Sequence, residues 1–142
     1  MKIQIKYHND NIPKLKKLVQ GDLIDLYAAE TVELKAGESR LISLGVSMKL
    51  PHGYKAQVYP RSSTFKTWGV LQTNSVGQID NSYCGNNDIW KYPVYATRDT
   101  TILEGDRICQ FEIVPVMAGI EIEEVNNLEG EDRGGFGSTG GR

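Results

Sequence analysis

Histidine and cysteine are scarce in this sequence. There are two of each in 142 residues. His8 and His52 stand alone in turn-like contexts and read as solvated surface residues, which argues against histidine chemistry. Cys84 and Cys109 show neither metal-ligand spacing nor a disulfide framework, so a protein-bound zinc is not expected. Reduced thiols fit a cytoplasmic protein. A formal charge of −2, from 16 basic and 18 acidic residues, leaves no electrostatic footprint for nucleic acid or an anionic membrane. No apolar run approaches a membrane span, and Met1-Lys2-Ile3-Gln4-Ile5-Lys6 does not read as a secretory leader. Sustained helical periodicity is also missing.

What is present is a period of two. Ile3, Ile5 and Tyr7 alternate with polar residues. Ile42, Leu44, Val46, Met48 and Leu50 keep the alternation for nine residues, and Pro51-His52-Gly53 then makes a turn. Tyr54, Ala56 and Val58 resume it until Pro60. Cys109, Phe111 and Ile113 share a face of a later strand, and Ile120 and Ile122 begin another. Short strands with frequent turns predict an all-β sandwich or barrel with a single core. One helical turn or two is expected after Ser62 or Ser63, through Trp68. Residues 1–125 form the body, and 126–142 a polar connector followed by a tail with five glycines in its last ten residues.

Five segments interrupt the strand pattern. Asp25 lies between Ile24 and Leu26, so its side chain points away from theirs; a structural carboxylate bonded to backbone N–H groups is the simplest account. Arg61-Ser62-Ser63 follows a strand that ends at proline and suits an anion, though Ser-Ser also makes a plain helix cap. Asn74 to Gly85 is hairpin-like, with Asp80 as either a general base or a turn former and Tyr83 placed to check a sugar. Gly105, Arg107 and Gln110 mark a turn feeding a strand, with Arg107 paired to Asp106 or another carboxylate. The tail offers backbone N–H groups, hydroxyls, an arginine and one ring, as a phosphate-binding loop or a plain Gly/Ser tail would.

In order and spacing, these segments resemble the five motifs of the trimeric dUTPases, over nearly the whole chain from Gly21. Asp25-Leu26-Tyr27-Ala28 matches the first motif, Arg61-Ser62-Ser63 the second, and Gly77 to Gly85 with upstream Asn74 the third. Gly105, Arg107 and Gln110 match the fourth. Arg133-Gly134-Gly135-Phe136-Gly137-Ser138-Thr139-Gly140 matches the fifth, slightly shortened. The resemblance implies a distorted β-barrel or jelly roll with one short helix and a mobile C-terminal arm, assembled as a homotrimer. It also implies hydrolysis of dUTP to dUMP and pyrophosphate, lowering dUTP and supplying dUMP for thymidylate synthesis. By the same resemblance Asp80 activates the water that attacks the α-phosphorus, and Mg²⁺ rides on substrate phosphates with Asp25 orienting one of its waters. Arg61, Ser62, Ser63 and Gln110 would hold phosphates. Asn74 and the backbone of Gly77, Gln78, Ile79 and Asp80 would read uracil, and Tyr83 would exclude a 2′-hydroxyl. Arg133, Gly137, Ser138 and Thr139 would close over the outer phosphates, with Phe136 stacked on the base.

The chain departs from the family pattern at Gln78, Ser82 and Cys84, at Leu23-Ile24, and in a lengthened stretch after Gly85. In that stretch Trp90 or Tyr92 is a candidate to assist or replace Phe136; an aromatic core or trimer contact is the alternative. A dCTP deaminase-type relative would need a glutamate base, whereas Asn86 and Asn87 follow Gly85 here. A regulatory protein on the same scaffold is the other competing reading, and a second protein partner is not inferable.

Overall fold

The alternation becomes strands wherever one face can be buried. A computed structural model describes residues 1–135. In chain order it contains β1 (Gln4–Tyr7), β2 (Ile24–Tyr27), β3 (Val32–Leu34), β4 (Ser39–Ser43), β5 (Val46–Lys49), β6 (Tyr54–Pro60), α1 (Thr64–Trp68), β7 (Val70–Gln72), β8 (Gly77–Ile79), β9 (Lys91–Ala96), β10 (Thr100–Ile102) and β11 (Arg107–Pro115). The strands form a four-stranded sheet β2-β11-β6-β8, a three-stranded sheet β4-β9-β7, and the pairs β1-β5 and β10-β3. Every pairing is antiparallel. Between the sheets lies one core that includes Leu26, Ile42, Val58, Trp90, Tyr92, Val94, Ile108 and Phe111. This is the all-β architecture the turn spacing predicts, and α1 follows Ser63 as expected.

Three local expectations need correction. The nine-residue alternation from Ile42 is not one strand. It breaks after Ser43 and resumes at Val46, so β4 pairs with β9 and β5 with β1. Gly45 makes the break with a positive φ of 67°, close against Ala29. The alternating residues are nevertheless all buried, because the chain bends around the core. Ile120 and Ile122 do not begin a strand: among the described residues regular structure ends at Pro115, and both residues are exposed. Asn74 to Gly85 is not a closed hairpin, since β7 and β8 pair with strands of different sheets.

β11 carries an irregularity that matters for the site. Arg107 is in register with Tyr27 and Cys109 with Leu26, so one extra residue, Ile108, is inserted opposite β2. Ile108 and Cys109 are consequently both buried. Such a bulge changes the parity of side chains along a strand. It puts Arg107 on the same face as Gln110, three residues later, which an unbroken strand would send to opposite faces.

Gly45 gives the fold a sharp test. A Cβ built there lies 2.6 Å from the Ala29 Cβ. Gly45→Ala is expected to destabilise the protein by about 2–4 kcal/mol, from left-handed backbone strain together with overpacking. Urea denaturation measures this, and an unchanged midpoint would show that the bend relaxes freely.

Candidate active site

Two groups of the singled-out residues come together, at opposite ends of the four-stranded sheet. The first centres on Asp25, on the outward face of β2. Arg61 Nε lies 3.2 Å from its Oδ1 and Arg107 Nη1 lies 3.8 Å from its Oδ2. Arg61 Nη1 also donates to the Arg107 carbonyl at 3.2 Å. Asp25 is therefore held by two guanidiniums, not by backbone N–H groups, and it is Asp25, not Asp106, that pairs with Arg107. Asp106 instead accepts from the Leu103 N–H at 2.8 Å in its own turn. Gln110, opposite Asp25 in register, donates to the Pro60 carbonyl at 3.1 Å. Two positive charges on one carboxylate leave a net positive cluster, suited to an anion.

Arg61 is fixed by its own turn. Its N–H donates to Thr64 Oγ1 at 2.8 Å, and that hydroxyl donates to the Ile108 carbonyl of the bulge at 3.0 Å. Thr64 is buried, so it acts as the bolt between α1 and β11. Ser63 occupies the cap position without a side-chain cap bond. Its hydroxyl and that of Ser62 have no hydrogen-bond partner among the described residues, which leaves both free to donate.

The second group lines a pocket of about 360 Å³ formed by Gln78, Ile79, Asp80 and Tyr83 with Leu41, Ile89, Trp90 and Lys91. β8 is the outer strand of its sheet, so half of its backbone N–H and C=O groups face away from β6. Gly77 lets it approach closely: an added Cβ would lie 3.1 Å from the Val58 Cβ and 3.6 Å from Asn74 Nδ2. Asn74 stands beside it, its Oδ1 accepting from Gln72 Nε2 at 2.9 Å. Asp80 is exposed, with no ion pair or side-chain hydrogen bond among the described residues. The loop after it is well anchored. Asn81 Nδ2 donates to the carbonyls of Pro51 (2.9 Å) and Tyr54 (2.8 Å), and Tyr83 Oη donates to the Ile89 carbonyl at 2.9 Å. The Tyr83 ring stays partly exposed, which leaves it available as a wall.

Trp90 and Tyr92 do not present their rings to this pocket as stacking surfaces. Both are fully buried, and Trp90 packs edge-on against Phe111 with centroids 5.2 Å apart. Their position in the core agrees with the alternative reading. Burial pushes the Tyr92 hydroxyl far above its ordinary range. The pleat of β9 sends Tyr92, Val94 and Ala96 inward with the preceding Trp90, which is fully buried and backs the pocket, and leaves Ile89 and Lys91 at its mouth. Those two, with Leu41 and the anchoring Asn81, escaped the sequence reading. Strand parity across β9 was the signal that would have found them. Arg133 is exposed and bonds only the Gly134 carbonyl, at 3.3 Å, among the described residues. Phe136, Gly137, Ser138 and Thr139 lie outside the described residues.

The two groups are far apart within one chain. Asp25, Gln110 and Tyr59 are level across the sheet, whereas Asp80 follows Ile79, which is level with Ala56. Three strand spacings and four residues along β6 separate them, roughly 20 Å. The described residues contain no cluster of three or more His, Cys, Asp or Glu able to cage a metal, and no helix among them is long and apolar enough to cross a membrane.

Comparison with known proteins places these features in a family. The family model for dUTPase matches residues 17–140. The chain is 55% identical over 140 residues, covering 99% of both chains, to the SPbeta prophage-derived deoxyuridine 5'-triphosphate nucleotidohydrolase YosS of Bacillus subtilis (strain 168). It is 37% identical over 137 residues, 95% of this chain and 89% of the relative, to the deoxyuridine 5'-triphosphate nucleotidohydrolase of Crocosphaera subtropica. Among solved structures, a Staphylococcus bacteriophage 80alpha dUTPase with dUpNHpp aligns with a TM-score of 0.81 at 23% identity, over 98% of each chain. The dUTPase of phage phi11 of S. aureus, described with a structural Mg(II) ion, aligns with a TM-score of 0.78 at 20% identity over 91% of this chain and 99% of its own.

The cysteines flank both groups without meeting. Cys84 is exposed in the loop after Tyr83, and Cys109 is buried in β11. Burial first, and then the negative charge of Asp25, raise the Cys109 thiol well above its ordinary value. Ellman's reagent is expected to titrate one thiol per chain in the native protein and two in denaturant. A native count of two would contradict the closed packing around Cys109.

Proposed function

The chain belongs to the dUTPase family, and from that premise we propose that it hydrolyses dUTP to dUMP and pyrophosphate at a site shared between subunits of a C₃ trimer. The observation that carries this reading is Asp80: a carboxylate with no ion pair among the described residues, at the rim of a pocket whose floor is the open edge of β8. An edge strand offers N–H and C=O groups in the pattern a pyrimidine edge can pair with, and Gly77 keeps side chains out of the way. Tyr83 forms the wall against the sugar, and Asn74 adds an amide beside the base. A carboxylate that is not tied up in an ion pair is free to take a proton from a water poised on the α-phosphorus. Such a base is weak, so orientation and charge stabilisation must supply most of the acceleration.

The phosphates fall to Arg61, Ser62, Ser63 and Gln110. A hydrogen bond reaches about 3 Å, so a water on Asp80 and the phosphates beyond it do not bridge roughly 20 Å of one sheet. The Asp25 cluster of one chain and the Asp80 pocket of a neighbour would then complete each site, with Arg133 to Thr139 of a third arm closing it. The exposed apolar side chains after Pro115 support assembly. Met117, Ile122 and Leu128 are 74%, 89% and 85% exposed, with nothing among the described residues to cover them.

Magnesium fits this arrangement in one particular way. Asp25 is already ion-paired with two guanidiniums, so it is poorly placed to bind the ion directly, but each oxygen retains a lone pair for a water. Mg²⁺ keeps much of its hydration shell. Asp25 would thus orient one of its waters while the ion, held on substrate phosphates, neutralises their charge.

Asp80→Asn is expected to lower turnover about 10²–10⁴-fold while dUMP still binds, measured by pyrophosphate release and calorimetry. Near-normal turnover would remove Asp80 as the base. Shared sites make a second, independent claim. Co-refolding inactive Asp80→Asn chains with inactive Arg61→Ala chains should restore activity, because some mixed sites receive both intact halves. If each site lay within one chain, mixing would restore nothing.

A further inference from the structure

The pocket around Asp80 contains one cation that the reading above does not use. We propose that Lys91 is a substrate-contacting residue whose ammonium holds the phosphate of the nucleotide beside Asp80; this rests on the function just proposed. Three observations carry it. Among the described residues, Asp80 and Lys91 are the only charged side chains that line the pocket, and the other lining residues are neutral. Strand parity fixes the direction of Lys91: Tyr92 and Trp90 on either side of it are buried, so Lys91 is turned outward with Ile89. Its ammonium is also uncommitted. Lys91 makes no ion pair or side-chain hydrogen bond among the described residues, and its cross-strand partner on β4 is Ser43.

The acids nearest along the chain or across the strand pair are already engaged. Glu30 accepts from the Ser43 N–H at 2.9 Å and pairs with Arg40 at 3.3 Å. Asp88 accepts from the Gly85 N–H at 2.8 Å. Lys91 is therefore available to an incoming anion. The need for it follows from Asp80. A phosphate brought against an ionised carboxylate meets like-charge repulsion, and a neighbouring ammonium offsets that repulsion without consuming the base. The aliphatic stem can lie along Ile89 and Leu41 while the charged head stays in the aqueous mouth of the pocket.

The proposal separates charge from shape, and dUMP against deoxyuridine tests it. The two ligands share base and sugar and differ only in the phosphate. Lys91→Met, checked for native fold by circular dichroism, is expected to weaken dUMP about tenfold and deoxyuridine less than about twofold. Lys91→Arg, which keeps the charge, is expected to recover most of the dUMP affinity. Unchanged dUMP binding in Lys91→Met would overturn the proposal. So would equal losses for both ligands, which would place Lys91 on the base. A wild-type protein that hydrolyses no dUTP would instead sink the proposed function, and the two failures are thus distinct.

Discussion

The bulge at Ile108 is the constraint on which the anion-binding end of the sheet depends. β11 pairs with β2 on one side and β6 on the other, so its side-chain parity is fixed from both edges. Without an extra residue, Arg107 and Gln110 would emerge on opposite faces. With it, Arg107, Gln110 and Asp25 share one face, and Ile108 and Cys109 both drive into the core. The Ile108 carbonyl freed at the bulge then accepts from Thr64. That bond holds α1, and α1 holds Arg61. One inserted residue therefore positions two arginines around one carboxylate. Breaking the cluster by removing Asp25 would leave two guanidiniums facing each other, a costlier change than losing an exposed ion pair.

The same reasoning separates what the sequence made legible from what it did not. Arg-x-x-Gln is an odd spacing on a strand, and an odd spacing of two polar residues meant for one face calls for a bulge. That much could be read from residues 107–110. Asp25 between two apolar neighbours announced its outward direction equally well. The buried alternation from Ile42 to Leu50 was legible as a face but not as two strands, because the break at Gly45 depends on close approach to Ala29. The rings of Trp90 and Tyr92 were candidates for the nucleotide because aromatic residues serve both core and ligand. Only the pairing of β9 with β4 and β7 settles which parity faces inward. Ile120 and Ile122 show the limit of alternation as a signal: two apolar residues two apart, with no partner strand among the described residues, make no strand. The identity of the site residues came from local motifs, whereas their separation across the sheet arises from pairings distant in sequence.

Another network on the four-stranded sheet shows how its outward face is stiffened. Tyr59 Oη lies 2.7 Å from Glu112 Oε2 and 2.6 Å from Gln57 Oε1, while Gln57 Nε2 reaches Gln78 Oε1 at 3.4 Å. The hydrogen bond to Glu112, more than burial or the charge of Glu112, raises the Tyr59 hydroxyl above its ordinary range. One hydroxyl proton cannot serve two acceptors, so a consistent network turns the Gln57 amide to donate to Tyr59. Gln78 stands where an apolar residue is common in the family. Here it joins a polar row on the water-facing side of β11, β6 and β8, which explains how a polar residue is accommodated next to the pocket.

Distance between the two halves has a chemical consequence of its own. A carboxylate within about 4 Å of a guanidinium forms an ion pair, and an ion-paired carboxylate is a poorer proton acceptor. Asp25 is in that position, its two oxygens facing two guanidiniums. Asp80 is not, because in its own chain the arginine cluster lies roughly 20 Å away, about two Debye lengths at 0.1 M salt. In the proposed shared site, Asp80 and the arginine cluster meet only where subunits join and where a triphosphate lies between them. The substrate's own charge then occupies the guanidiniums that would otherwise attract Asp80. Dividing the site among chains thus keeps Asp80 clear of the guanidiniums without requiring one sheet to hold the two groups apart at close range.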